Sequence, residues 1–132
     1  MKLNECVPQA LAFIKDKYSA KVTKASLAGF AKSETDFFDV VTGEHCPALS
    51  LYAHRIDFNN DSHEVGASVS AVAYIWVSGD PLAYLDVFKD FLGGNADLAG
   101  RCIVAILKEA QIARDPTRQG HAQIVIQFEL VF

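Results

Sequence analysis

Residues 64–77 read EVGASVSAVAYIWV, and Val65, Ala67, Val69, Ala71, Ala73, Ile75 and Val77 take every second position in this run. Successive side chains of a strand point to opposite faces, so the run predicts one long strand with a fully apolar face. The other face is not polar either, because it carries Val72, Tyr74 and Trp76. Aromatic residues on a second sheet face imply a covering helix, a ligand pocket or a subunit contact. Tyr52 and His54, on the segment before this strand, join Tyr74 and Trp76 in that group. Packing beneath a helix is the plain expectation for them, with a subunit interface and a pocket as the alternatives.

Working outward, Asn59, Asn60, Asp61 and Ser62 form a turn cluster, and the stretch from Pro47 to Phe58 reads as the first arm of a long hairpin. Pro47 is acceptable there because a strand's first residue need not donate to the ladder. Phe37 to Val41 is a further short strand, ended by Thr42 and Gly43, and residues 21–36 read as a loop holding a helical turn around 25–30. Upstream, Val7, Leu11, Ile14 and Tyr18 share one helical stripe, with Asn4 as its expected cap and Pro8 placed in the first turn.

Downstream, Asp80 and Pro81 stand in the order of a helix start, and Leu82, Leu85, Phe88 and Leu92 make its stripe until Gly93 and Gly94. A second helix is expected from Asn95, with Leu98, Cys102, Ile106 and Ala110 as its inner row. The polar stretch 113–120 then leads to a last alternating strand, His121 to Phe132. The predicted fold is a single α+β domain over residues 1–132. Its mainly antiparallel sheet is built on a long central hairpin and packed by an N-terminal helix and one or two helices before the last strand.

Composition narrows the function classes. The chain has 132 residues, of which 51% are hydrophobic, and a formal net charge of −4. That length supports a core without disulfides or a structural metal. No run of Lys or Arg supplies the positive stripe a nucleic-acid binder uses to neutralise phosphates, so no nucleic-acid partner is expected. No span approaches the roughly 18 apolar residues of a membrane helix, and no membrane partner is expected. The start, Met1-Lys2-Leu3-Asn4-Glu5, leads into a polar-striped helix instead of a signal-peptide core, which predicts a cytoplasmic protein.

Chemical motifs are few. Cys6, Cys46 and Cys102 are odd in number and widely spaced, and read as small buried hydrophobes in a reducing compartment. His45 beside Cys46 is the most tempting pair, but neighbours in an extended segment point to opposite faces. His54, His63 and His121 have no zinc-ligand spacing. Gly93-Gly94 lacks the further glycines of a phosphate loop. Asp57, Asp61 and Glu64 match no cation loop and read as a solvated acidic turn. No catalytic residue, cofactor or metal is expected.

The layout resembles the phage tail terminator, or minor tail protein U, family of long-tailed phages and prophages, and the likeness spans nearly the whole chain. The residues that carry it are the amphipathic first helix, the segment Pro47-Ala48-Leu49-Ser50-Leu51-Tyr52, a polar hairpin tip, the alternating strand 68–77, a helical stretch, a polar loop and the last strand 122–132. The resemblance implies a structural virion protein and no enzyme. Such a protein forms a homo-oligomeric ring, commonly a hexamer, on the end of the tail tube and joins it to the head connector, in the host cytoplasm and then in the virion tail. Exposure then points to Asn59, Asn60, Asp61 and Glu64 at the hairpin tip, and to Arg114, Asp115 and Arg118 in the last loop, as contacts with tube, connector or adjacent subunits. Two other readings stand beside it: an accessory module that binds one intracellular partner, and a small-molecule-binding domain using Tyr52, His54, Tyr74 and Trp76 as its pocket.

Overall fold

The structure, a computed structural model, describes residues 2–36, 46–59, 66–114 and 120–132. It contains helix α1 (Leu3–Lys24), strands β1 (Lys32–Glu34), β2 (Ala48–Asn59) and β3 (Gly66–Ser78), helix α2 (Pro81–Gly94), and strands β4 (Val104–Arg114) and β5 (His121–Val131). The five strands form one sheet in the order β1-β2-β3-β5-β4. Every neighbouring pair is antiparallel except β1 with β2. This is the expected α+β fold with its central hairpin, and one helix stands before the last strands.

The period-2 reading of the central strand is the one that organises the core. Val69, Ala71, Ala73, Ile75 and Val77 are buried, and they join Ile124, Ile126, Phe128 and Leu130 of β5 on the same face. Both helices lie against this face. From α1 come Val7, Ala10, Leu11, Ile14, Tyr18 and Val22, and from α2 come Tyr84, Phe88, Phe91 and Leu92. Phe88 is the hinge of the packing: its ring meets Tyr18 edge-on at 5.0 Å and Phe128 at 5.7 Å. Fully burying a ring of this size contributes about 1.5–3 kcal/mol.

Helix α2 starts as expected, with Asp80 accepting from the Leu82 N–H at 3.0 Å and Pro81 at the first helical position. Its buried side differs from the predicted stripe. Leu82 is 54% exposed, whereas Tyr84, Phe88 and Phe91 form the inner row, because three rings at i, i+4 and i+7 remove more apolar surface than the leucines do. Helix α1 begins one residue before its expected cap. Lys2 takes the cap position without a side-chain bond, and Pro8 lies inside the helix instead of in its first turn.

The expected second helix from Asn95 does not form. Residues 96–102 make a compact turn and residues 104–114 are strand β4. The misreading has a physical cause. A break in register between Leu107 and Glu109 inserts Lys108 as an extra residue, so Ala105 and Leu107 share a face with Ala110 and Ile112. The expected inner row Leu98, Cys102, Ile106 and Ala110 keeps a helical spacing of four, but Ile106 pairs with Glu129 and Ala110 with Ile126, which puts them on opposite faces of the sheet.

The loop read over residues 21–36 also contains structure. Lys32, Ser33 and Glu34 pair in parallel with Ala48, Leu49 and Ser50. The strand expected at residues 37–41 lies outside the described residues. Among the described residues, no helix is long and apolar enough to cross a membrane.

Candidate interaction face

Because α1 and α2 occupy one side of the sheet, alternation sends Tyr52, Val72, Tyr74 and Trp76 to the other. Among the described residues neither helix covers them: both are held on the opposite face by the Tyr18–Phe88–Phe128 packing. Tyr52, Tyr74 and Trp76 form a ladder of half-buried rings. The Tyr52 and Tyr74 rings are 6.0 Å apart and nearly parallel at 8°, and Tyr74 and Trp76 are 5.6 Å apart at 23°. The registry explains the offset. Tyr52 pairs with Val72, so its ring reaches Tyr74 diagonally, a separation aromatic side chains span. Burial raises the Tyr52 hydroxyl pKa above its ordinary value, and Tyr74 adds to the shift.

His54 stands apart from this ladder. The register of β2 and β3 breaks between Ala53 and Arg55, so His54 is the extra residue of a bulge, and it is exposed. Above the ladder's first rung, Ser50 is fully buried and its Oγ donates to the carbonyl of Asp36 at 2.5 Å. The chain after β1 therefore passes over this face at Ser50.

Toward the other end of the same face the chemistry turns polar. Ser68 on β3 donates to Glu129 on β5, and Lys108 Nζ on β4 lies 3.4 Å from Glu129 Oε2. The Ser68 hydrogen bond, followed by the charge of Lys108, holds the Glu129 carboxyl below its ordinary pKa. Arg55 and Asp57 on β2 form an exposed pair at 3.1 Å. Nothing in the chain's local pattern marks the Ser68–Glu129–Lys108 cluster, since its members come together only through the strand order β3-β5-β4.

The polar contact candidates divide between the two ends of the sheet. Asn59 closes β2 opposite Gly66, whereas Arg114 closes β4 opposite Ala122, which itself faces Val77. Asn59 and Arg114 thus lie at opposite ends of the sheet, and the fold does not bring them together. Asn60, Asp61, Glu64, Asp115 and Arg118 lie outside the described residues, as do His45 and His63. Asp57 is the only member of the acidic trio within them, and its partner is Arg55. Among the described residues, no group of His, Cys, Asp or Glu is arranged to hold a metal ion. Cys6 and Cys46 are half-buried and Cys102 is buried, and none of the three is in a disulfide.

No protein-family model matches the chain, and no curated protein matches it. Among solved structures, a chain from the virion of a native gene transfer agent (GTA) particle aligns at 12% identity with a TM-score of 0.45, over 86% of this chain and 82% of that one. A likeness that distant carries no weight for fold or function.

Proposed function

We propose that this chain is a structural component of a phage-like virion: a tail-completion protein that forms a ring on the end of the tail tube, joins it to the head connector, and catalyses nothing itself. The observation that carries the reading is the placement of both helices on one sheet face while the Tyr52–Tyr74–Trp76 ladder lies on the other. Large rings with a polar end suit the buried centre of a protein contact. The order of elements adds support, running from the first helix through Ala48–Asn59 and its hairpin partner to the last strand, as the tail terminator resemblance requires.

The test is solution mass by light scattering across a concentration series, alone and with isolated tail-tube ends, followed by negative-stain imaging of any large species. Closed rings, free or seated on tube ends, are expected. A protein that stays monomeric in both settings overturns the reading. Copurification with one defined protein, without rings, replaces it with the accessory-module reading.

A further inference from the structure

The outer strand β4 presents what is ordinarily a hazard. It pairs with β5 along one side and with no described strand along the other. It is long, and it carries the part-exposed Ile106 (36%) and Ile112 (39%). An edge of this kind is a template for another chain's backbone.

Two features interrupt that template. At its start, the Ala105 N–H donates to the carbonyl of Ala96 at 2.6 Å, so the 96–102 turn occupies the ladder position there. One turn of pleat further on, the extra residue Lys108 breaks the register, and its Nζ is drawn across β4 to Glu129, which is held in turn by Ser68. A bulge bends and twists its strand and leaves its extra residue unpaired. The Lys108 charge is held over the sheet face by Glu129, so it is the bulge, fixed in place by that contact, that interrupts the edge.

The opposite side of the sheet repeats the scheme with different residues. There β1 covers Ala48, Leu49 and Ser50, and the next interruption is the His54 bulge between Ala53 and Arg55. The two bulges sit at one level. Ala53, Ala71, Phe128 and Leu107 form a single cross-sheet row, with His54 on one side of that row and Lys108 on the other.

We propose that the Lys108 bulge, pinned by Glu129 and Ser68, is a guard that prevents a second copy of this chain from adding a strand at β4. Copies of the chain then meet through a face or an end of the sheet, and the outward-facing alternate amides of β4 between Leu107 and Arg114 stay open to water whether or not they assemble. The inference stands apart from the virion reading. A ring whose β4 amides still exchange keeps both ideas, and a ring that protects those amides keeps the ring and removes the guard.

The experiment compares the full chain with Lys108→Val by sedimentation velocity and by hydrogen exchange read over residues 106–114, each at low and high concentration. The variant supplies a β-branched, uncharged residue at the bulge. The unaltered chain is expected to exchange equally at both concentrations over 106–114. Lys108→Val is expected to associate at the high concentration, with exchange there slowed by about tenfold or more. Concentration-dependent protection of 106–114 in the unaltered chain overturns the guard. So does a Lys108→Val protein with native circular dichroism that shows no association. Should Lys108→Val fail to fold, Lys108→Thr takes its place, and the measurement on the unaltered chain decides by itself.

Discussion

The Tyr18 hydroxyl on α1 donates to the main-chain carbonyl of Tyr84 on α2 at 2.9 Å, and the Tyr84 hydroxyl donates onward to the carbonyl of Ala28 at 2.8 Å. Two phenols thus tie both helices to the segment that leads into β1, on top of the ring packing around Phe88 and Phe30. Burial first, and Tyr84 second, push the Tyr18 hydroxyl pKa far above its ordinary value, in keeping with its role as a donor. Tyr18→Phe keeps the ring and removes the bond, and is expected to cost about 1 kcal/mol. Tyr18→Ala also removes a fully buried ring and is expected to cost about 3–5 kcal/mol. Urea unfolding followed by circular dichroism measures both. Equal costs for the two variants would show that the hydrogen bond, not the ring, carries the contribution.

The three thiols are expected to separate by reactivity. Cys102 is buried in the turn after α2, and burial, with Asp97 adding to it, pushes its pKa up to about 11. Thiolate is the reactive form, so Cys102 is suppressed twice, by access and by protonation. Alkylation of the folded protein at mildly alkaline pH, located by peptide mass, is expected to modify Cys6 and Cys46 well before Cys102. In denaturant all three should react alike. Rapid labelling of Cys102 in the folded protein would contradict its placement.

How much of this was legible in the sequence depends on how far each signal reaches along the chain. The alternation from Ala67 to Val77 and the Asp80-Pro81 start are local signals, and both take the form they announce. Strand β4 is hidden because Leu98, Cys102, Ile106 and Ala110 recur at helical spacing, while the extra residue Lys108 breaks the period-2 parity that would mark a strand. Alternation places the aromatic group on the second face, whereas which face α1 and α2 take depends on where Phe88 meets Phe128, a contact between residues far apart in sequence. His54 was grouped with the rings on spacing alone, and its bulge removes it from them. The Ser68–Glu129–Lys108 cluster depends on strand order, which no local pattern encodes.

That cluster has a pH signature. The Glu129 pKa is lowered in the folded protein, chiefly by Ser68 and then by Lys108, so the folded state binds that proton more weakly than the unfolded chain does. Stability from this source is present above the unfolded carboxylate pKa and is lost as the pH falls through the folded one. The Glu129 side chain is 26% exposed and Lys108 is 51% exposed. With that much solvent screening, the contribution is expected to be about 1 kcal/mol or less. Glu129→Gln should therefore be less stable than the unaltered chain at neutral pH, with the difference closing on the acid side. Thermal unfolding of both proteins over a pH series measures it. A difference that is constant with pH would assign the loss to packing instead of charge.

The 96–102 turn stores strain that one substitution is expected to relieve. Leu98, Ala99 and Gly100 follow one another with φ of 51°, 56° and 85°, a left-handed conformation in which a Cβ is crowded by the following carbonyl. Leu98 is held there because its side chain is fully buried in the core cluster, and the Leu98 N–H closes the turn by donating to Asn95 at 3.0 Å. Ala99 has no such compensation, since its side chain is exposed. Glycine adopts this conformation without the crowding but adds freedom to the unfolded chain, and the two effects oppose each other. With a crowding cost of roughly 1–2 kcal/mol per left-handed residue, Ala99→Gly is expected to raise stability by about 0.5–1 kcal/mol, whereas Leu98→Gly is expected to lower it through the lost buried side chain. Opposite signs at adjacent positions of one turn make the pair diagnostic: if Ala99→Gly destabilises in urea unfolding, the left-handed run is not the conformation the chain holds there, and the 96–102 turn cannot close the edge of β4 through Ala96 as described.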